Sequence, residues 1–233
     1  MTVSKLLSAN SQPRRFDLII FDWDGTLFDS TGLIVRCIQD AVRDVGGTVP
    51  SDEAASYVIG LGLMQALAHA APDVPADKYP ALGDAYRKHY NLHQHDISLF
   101  KGTLDMLQAL RGRGHLLAVA TGKSRRGLDD VLARTVDGVV LGSLFEASRT
   151  ADQTAGKPDP LMLHELMAEL GAAPERTLMI GDTTHDLALG RNAGVATVAV
   201  SFGAHAHAAF AEYAPLCVAH NTHELHHWLI DNA

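Results

Sequence analysis

The chain has 233 residues, enough for one large hydrophobic core or for a core domain with a smaller second domain. Its formal net charge of −8 argues against binding to nucleic acid, which needs clustered excess lysine and arginine. No apolar run approaches the roughly 18 residues of a membrane span, and the two cysteines lack a metal-binding or disulfide pattern. We therefore expect a cytoplasmic protein that binds neither nucleic acid nor membrane.

The first predicted strand follows a short polar segment. Residues 1–15 contain one apolar pair, too little for a secretory signal, and are predicted to form a flexible N-terminal tail. The sequence FDLIIF over Phe16–Phe21 is typical of a buried parallel strand. Three similar runs follow later in the chain, at Leu116–Ala120, Thr177–Ile180 and Ala196–Val200.

The next segment contains helical patterns without strands. Apolar residues recur at helical spacing from Leu33 to Val45, where Gly46 ends the pattern. Further helices are predicted over Ser51–Ile59, Leu63–Ala71 and Ala76–Gln94. We therefore predict an all-helical cap domain over residues 31–97, inserted into a core formed by residues 16–30 and 98–233.

Helices alternate with strands in the rest of the chain. They are predicted over Thr103–Leu110, Ser124–Ala133 and Asp159–Leu170, the last with Asp159 as N-cap and Gly171 beyond its end. This alternation indicates an α/β fold with a doubly wound, Rossmann-like parallel sheet.

The motif Asp22-Trp23-Asp24-Gly25-Thr26 directly follows the first strand. Ligands of open α/β sheets bind at the carboxyl ends of strands, so both carboxylates lie where a site is expected. One can act as a nucleophile and metal ligand while the other serves as acid and then base. Thr26 adds a hydroxyl and an N–H group for phosphate, although Asp and Gly also favour plain turns.

Two further motifs suit phosphate. Thr121 and Gly122 end a strand at the start of a helix, where a hydroxyl and backbone N–H groups can hold an anion or merely cap the helix. Lys157 lies in Gly-Lys-Pro-Asp-Pro, a rigid turn that can present its ammonium to a phosphoryl group. A solvated surface lysine is the alternative.

A second pair of carboxylates, Asp182 and Asp186, follows the strand that ends at Ile180. Carboxylates are hard oxygen ligands, and Mg²⁺ suits a phosphate substrate because it keeps several waters and bridges to phosphate oxygens. Capping of the next helix accounts for Asp186 better than for Asp182.

In this order, the segments FDWDGTLFDS, ATGKS, GKPDP and GDTTHDLALGRNAG resemble the haloacid dehalogenase superfamily, in its phosphoglycolate phosphatase-like branch with a helical cap. The resemblance covers residues 16–202 and implies Mg²⁺-dependent hydrolysis of a small-molecule phosphate ester. It makes Asp22 the nucleophile that forms an aspartyl-phosphate, and Asp24 the acid that protonates the leaving oxygen and later activates water.

The remaining roles follow from the same resemblance. Thr121 and Lys157 hold the phosphoryl group. The Asp22 carboxylate, the Asp24 backbone carbonyl and Asp182 bind Mg²⁺, with Asp186 in a second layer or holding Lys157. Trp23, where relatives carry a smaller aliphatic residue, is predicted to point into the packing of the sheet.

The substrate and the assembly remain open in the sequence. Phosphoglycolate is the family-based expectation, while a sugar phosphomutase, a pyrophosphatase and an inactive interaction or regulatory module are the alternatives. The cap segment around Gly60–Met64 resembles a specificity loop without a charged group. Candidates to bind a second anion, each equally interpretable as a surface charge, are Arg36, Arg87, Lys88 and Arg125. A monomer and a homodimer are both compatible.

Six histidines follow residue 204, and His223 and His227 have a spacing of four that can hold a transition metal on a helix. The sequence supplies no convincing third ligand, so a polar helix face is the favoured interpretation.

Overall fold

The computed structural model describes residues 14–233. The predicted tail over residues 1–15 therefore lies outside the described residues, apart from its last two positions. In chain order, the elements are β1 (Leu18–Phe21), α1 (Thr31–Asp44), α2 (Asp52–Tyr57), α3 (Leu63–Ala70), α4 (Tyr79–His93), α5 (Thr103–Gly112), β2 (Leu116–Thr121), α6 (Arg125–Leu132), β3 (Thr135–Val136), β4 (Val139–Val140), β5 (Ala147–Thr150), α7 (Leu161–Leu170), β6 (Thr177–Gly181), α8 (Thr184–Ala193), β7 (Ala196–Val200), β8 (Val218–Ala219) and α9 (Thr222–Asn232).

Six strands form one parallel sheet in the order β5-β2-β1-β6-β7-β8, and β3 and β4 form a small antiparallel hairpin. β1 lies inside the sheet, paired with β2 on one side and β6 on the other. Its residues alternate between two hydrophobic clusters, with Ile19 and Phe21 on one face and Leu18 and Ile20 on the other. The doubly wound α/β fold with a helical insertion is confirmed.

The insertion has a hydrophobic cluster of its own. α1 to α4 contribute to it through buried residues such as Ile38, Leu67 and Leu82. The chain enters and leaves the insertion at adjacent points, because the N–H of Asp29 donates to the carbonyl of Ser98 at 3.0 Å. This crossing lies beside the predicted cap boundaries at residues 31 and 97, which stay a prediction.

Two predicted features of the core differ in detail. α7 begins at Leu161, with Pro160 rather than Asp159 at the N-cap position. Asp159 still bonds the first turn, since its Oδ1 accepts from the N–H of Leu161 at 2.9 Å. Among residues 14–233, no helix combines the length and apolar character needed to span a bilayer.

Candidate active site

Three adjacent strands deliver the predicted site residues to one edge of the sheet. Asp22 directly follows β1, Thr121 ends β2, and Asp182 directly follows β6. The N–H of Asp22 donates to the carbonyl of Ile180 at 2.9 Å, which extends the β1–β6 register to the site. Because parallel strands end at the same edge, the topology places these three residues at that edge of the sheet.

Three buried carboxylates lie close together at this edge. Oxygen atoms of Asp22, Asp182 and Asp186 are all within 4.8 Å of one another. The Nζ of Lys157 lies 2.5 Å from Asp22 Oδ1 and 2.7 Å from Asp186 Oδ1, and this lysine is only 1% exposed. When all four groups are ionised, three carboxylates and one ammonium carry an excess of two negative charges, on residues that are at most 1% exposed.

Burial and mutual repulsion shift the titration of these groups. Burial raises the pKa of the Asp22 carboxyl to about 7, against the opposing effect of Lys157 and with added repulsion from Asp186. Burial also raises the pKa of Asp182 well above its usual value. Burial opposes the charge on Lys157, but Asp186 and Asp22 outweigh it and raise the pKa of the lysine. The cluster therefore favours a cation that could neutralise it.

The donor set fits a divalent cation. Asp22 Oδ1 is bound by Lys157, whereas Asp22 Oδ2 is buried without a hydrogen-bond partner among the described residues. An unpartnered buried carboxylate oxygen is costly unless an ion or a donor meets it. Carboxylate oxygens at this spacing are the ligands that Mg²⁺ and related hard cations prefer.

The Asp182 carboxylate is held in place by two hydrogen bonds. Its Oδ1 accepts from Thr26 Oγ1 at 3.0 Å, and its Oδ2 accepts from the N–H of Ala204 at 2.7 Å. Two glycines make room for it, because a Cβ atom at Gly25 or at Gly203 would lie 2.2 Å from Asp182 Oδ2. The Thr26 hydroxyl, which the sequence assigned to phosphate, thus orients a carboxylate here.

Asp186 joins the cluster from the first turn of α8. Thr183 caps this helix: its Oγ1 accepts from the N–H of Asp186, and Asp186 Oδ2 accepts from the N–H and Oγ1 of Thr183. This reciprocal capping box fixes the carboxylate and leaves Oδ1 directed at Lys157. The alternative that Asp186 caps a helix and the expectation that it holds Lys157 are therefore both consistent with the geometry.

Asp24 faces a different set of partners. Its Oδ1 accepts from Ser30 Oγ at 2.7 Å, and Lys123 Nζ lies 3.0 Å from Oδ1 and 2.9 Å from Oδ2. The same Nζ donates to the hydroxyl oxygen of Tyr90, in α4 of the insertion, at 2.9 Å. Burial opposes the charge on Lys123, but Asp24 and Tyr90 raise its pKa above the usual value.

The turn after β2 lies against the insertion. A Cβ atom at Gly122 would lie 2.5 Å from the carbonyl oxygens of both Gly60 and Leu61, so only glycine permits this approach. Thr121 is buried, and its Oγ1 accepts from the N–H of Lys123 at 3.2 Å. The segment that resembles a specificity loop thus covers the predicted phosphate-binding turn.

Residues 19–200 match the haloacid dehalogenase-like hydrolases. The chain belongs to this family. It is 35% identical over 193 residues to a Dickeya dadantii protein described as probable phosphatase IndB, and the match covers 81% of this chain and 82% of that protein. Other relatives are named pyrophosphatase and 5'-nucleotidase. The chain is therefore a hydrolase of the phosphatase type.

Two further comparisons bear on this haloacid dehalogenase-like hydrolase. The tyrosine-protein kinase PtkA of Mycobacterium tuberculosis is 32% identical over 198 residues, and the match covers 84% of this chain but 65% of the kinase. The solved structure of a haloacid dehalogenase-like hydrolase from Bacteroides fragilis shares the fold with a TM-score of 0.80 at 27% identity, covering 90% of this chain and 99% of that one.

Four cationic residues were candidates to bind a second anionic group of the substrate. Within residues 14–233, none of them contacts the cluster of Asp22, Asp182 and Asp186. Arg87 pairs with Asp84 on the surface, and Arg36 and Lys88 are exposed. Arg125 contacts Ser148, Gln153 and Asp129. The cation that does reach Asp24 is Lys123, which sequence reasoning included in a motif without assigning it a role.

Two other predictions concern residues outside the cluster. Trp23 is buried as predicted, stacked on Phe28 with ring centroids 5.0 Å apart and edge-on to Phe145. His223 and His227 lie on α9 with ring centroids 4.2 Å apart. Within residues 14–233, the one group of three or more potential metal ligands is the carboxylate cluster, so this histidine pair has no third ligand there.

Proposed function

We propose that this hydrolase is a magnesium-dependent phosphatase that cleaves a small-molecule phosphate monoester through an aspartyl-phosphate on Asp22. The observation that carries the proposal is the buried cluster of three carboxylates and one lysine, in which one oxygen of Asp22 has no hydrogen-bond partner within residues 14–233. Mg²⁺ would be held by Asp22 and Asp182 and would neutralise charge on the phosphoryl oxygens.

The chain's own residues divide the remaining work. Asp22 attacks phosphorus and carries the phosphoryl group, while Lys157 stabilises negative charge on the transferring oxygens. Asp24 lies two residues along the same loop, where it can protonate the leaving oxygen and then take a proton from the attacking water. Lys157 is tied to Asp22 and Asp186, so its ammonium is already placed for this task.

The test uses purified protein and p-nitrophenyl phosphate with Mg²⁺ or with EDTA. We expect hydrolysis only with the divalent ion, and a loss of at least about 10⁴-fold in Asp22→Asn, as when a covalent nucleophile is removed. The matched control is Asp129→Asn, an exposed carboxylate on α6 that should leave the rate unchanged. Robust turnover by Asp22→Asn would overturn the mechanism.

The alternatives predict different products. A phosphomutase transfers phosphate to a sugar rather than to water, so inorganic phosphate would not accumulate. A pyrophosphatase would favour inorganic pyrophosphate in the same assay. An inactive regulatory module would hydrolyse no compound in a panel of phosphorylated metabolites.

A further inference from the structure

Lys123 contacts Asp24 directly, and Tyr90 contacts Lys123. Lys123 Nζ contacts both carboxylate oxygens of Asp24, and its side chain is only 10% exposed. Tyr90 approaches from the insertion, with its hydroxyl 2.9 Å from Lys123 Nζ and its ring centroid 4.8 Å away. The proposed function gives Asp22 and Asp24 their tasks but leaves these two residues without one.

The position of Asp24 determines what lies next to Lys123 during the reaction. An acid must be within hydrogen-bond reach of the oxygen that it protonates, so the leaving oxygen is placed against Asp24. Atoms attached to that oxygen then lie close in space to the Lys123 ammonium and the Tyr90 hydroxyl. The backbone carbonyls of Gly60 and Leu61 lie against Gly122, the residue directly before Lys123.

The two side chains together suit an anion. Lys123 donates to the Tyr90 oxygen, so the phenol keeps its own proton to donate to another acceptor. Asp24 retains Ser30 as a donor if one of its contacts with Lys123 is exchanged for an anion. A buried ammonium with an adjacent hydroxyl is a charge-assisted site for a carboxylate or phosphate group.

Resting on the proposed function, we propose that Lys123 and Tyr90 bind a second anionic group carried by the leaving group of the substrate. The preferred substrates are then compact phosphate compounds with a carboxylate or a second phosphate close to the scissile oxygen. Phosphoglycolate represents the substrates with a carboxylate, and pyrophosphate represents those with a second phosphate. Lys123 is thereby a specificity-determining residue, and Tyr90 extends the anion site onto α4 of the insertion.

The experiment compares two phosphate esters that differ in the charge next to the scissile oxygen, together with one phosphoanhydride. The substrates are phosphoglycolate, its neutral amide of the same size, and pyrophosphate, each assayed with Mg²⁺ for kcat and KM. The variants are Lys123→Gln and Tyr90→Phe. The matched control is Lys88→Gln, which removes the same charge from an exposed position two residues before Tyr90 on α4.

We expect the wild type to prefer at least one anionic substrate over the amide. Lys123→Gln should lower that preference by about 10- to 100-fold, the range for loss of a hydrogen bond to a charged group. Tyr90→Phe should lower it by about 3- to 10-fold, as for a neutral donor, and Lys88→Gln should not change it. The two anionic substrates show whether a carboxylate or a phosphate is recognised.

An equal fall in kcat/KM on the anionic and neutral substrates would overturn the proposal, because Lys123 would then serve only to position Asp24. That result leaves the proposed phosphatase activity intact. If the wild type hydrolyses none of the compounds, p-nitrophenyl phosphate included, the proposed function fails. Calorimetric binding of phosphoglycolate then decides the inference separately, since equal affinity for wild type and Lys123→Gln would contradict it.

Discussion

Asp22 is buried next to two further carboxylates, and one of its oxygens lacks a hydrogen-bond partner among the described residues. The property that suits it to a metal and a nucleophilic role therefore destabilises the metal-free fold. We expect Asp22→Asn to raise the midpoint of thermal unfolding in EDTA by roughly 3–6 °C, as for relief of about 1–2 kcal/mol in a chain of this size.

Differential scanning fluorimetry with EDTA and with Mg²⁺ checks this prediction. Mg²⁺ should raise the midpoint of the wild type more than that of Asp22→Asn, because the variant has lost one ligand. Asp129→Asn, an exposed carboxylate, should behave as the wild type in both conditions. A metal-free Asp22→Asn variant less stable than the wild type would show that repulsion in the cluster is not the dominant effect.

The carboxylates and Lys157 could be predicted from the sequence because each follows a strand or lies in a short turn whose position is local. Lys123 and Tyr90 could not be paired in this way. Tyr90 is 33 positions away on a helix of the insertion, and its contact with Lys123 depends on how that helix lies over the core. The sequence did place a lysine, Lys123, directly after the Thr-Gly turn, and this position was the available indication that it lies near the site.

At the scale of elements, Gly122 lets the turn after β2 pack against the insertion. A Cβ atom there would lie 2.5 Å from two backbone oxygens, which cannot move as a flexible side chain can. We expect Gly122→Ala to displace the loop at Gly60 and Leu61 and to lower kcat/KM by about 10- to 100-fold, as for misplacement near 1 Å.

The matched control is Gly112→Ala at the end of α5, where a Cβ atom would meet no atom of residues 14–233 within 4 Å. This variant should keep full kcat/KM and gain up to about 1 kcal/mol of stability from helix propensity. Steady-state kinetics and thermal unfolding of both variants separate the two effects. Full activity of Gly122→Ala would mean that the loop is not required to lie where it does.

The four central strands were predictable because both of their faces are buried, which produces continuous apolar runs. β5 was not predicted, since it lies at the edge of the sheet and has the sequence Ala-Ser-Arg-Thr. Its Arg149 bonds Glu165 and Glu169 on the neighbouring helix α7, so the strand is stabilised by polar contacts that no hydrophobic pattern reveals. β8 is only two residues long.

At the scale of the whole molecule, the carboxylate cluster makes the stability of the metal-free chain depend on pH. Burial raises the folded-state pKa of Asp22 to about 7 and that of Asp182 well above its usual value. The folded chain therefore binds more protons than the unfolded chain between about pH 4 and pH 7. The stabilisation that results from this difference in proton binding is fully present below about pH 4, and it is lost as the pH rises toward about 7.

We expect the metal-free wild type to unfold at a lower temperature near about pH 7.5 than near about pH 5.5. Buried histidines act in the opposite direction, since burial lowers the pKa of His115 and stabilises its neutral form as the pH rises. They are common to the wild type and Asp22→Asn, so the difference between the two proteins isolates the cluster. That difference should grow from pH 5.5 to pH 7.5 in EDTA and shrink in Mg²⁺; a difference independent of pH would contradict the assignment.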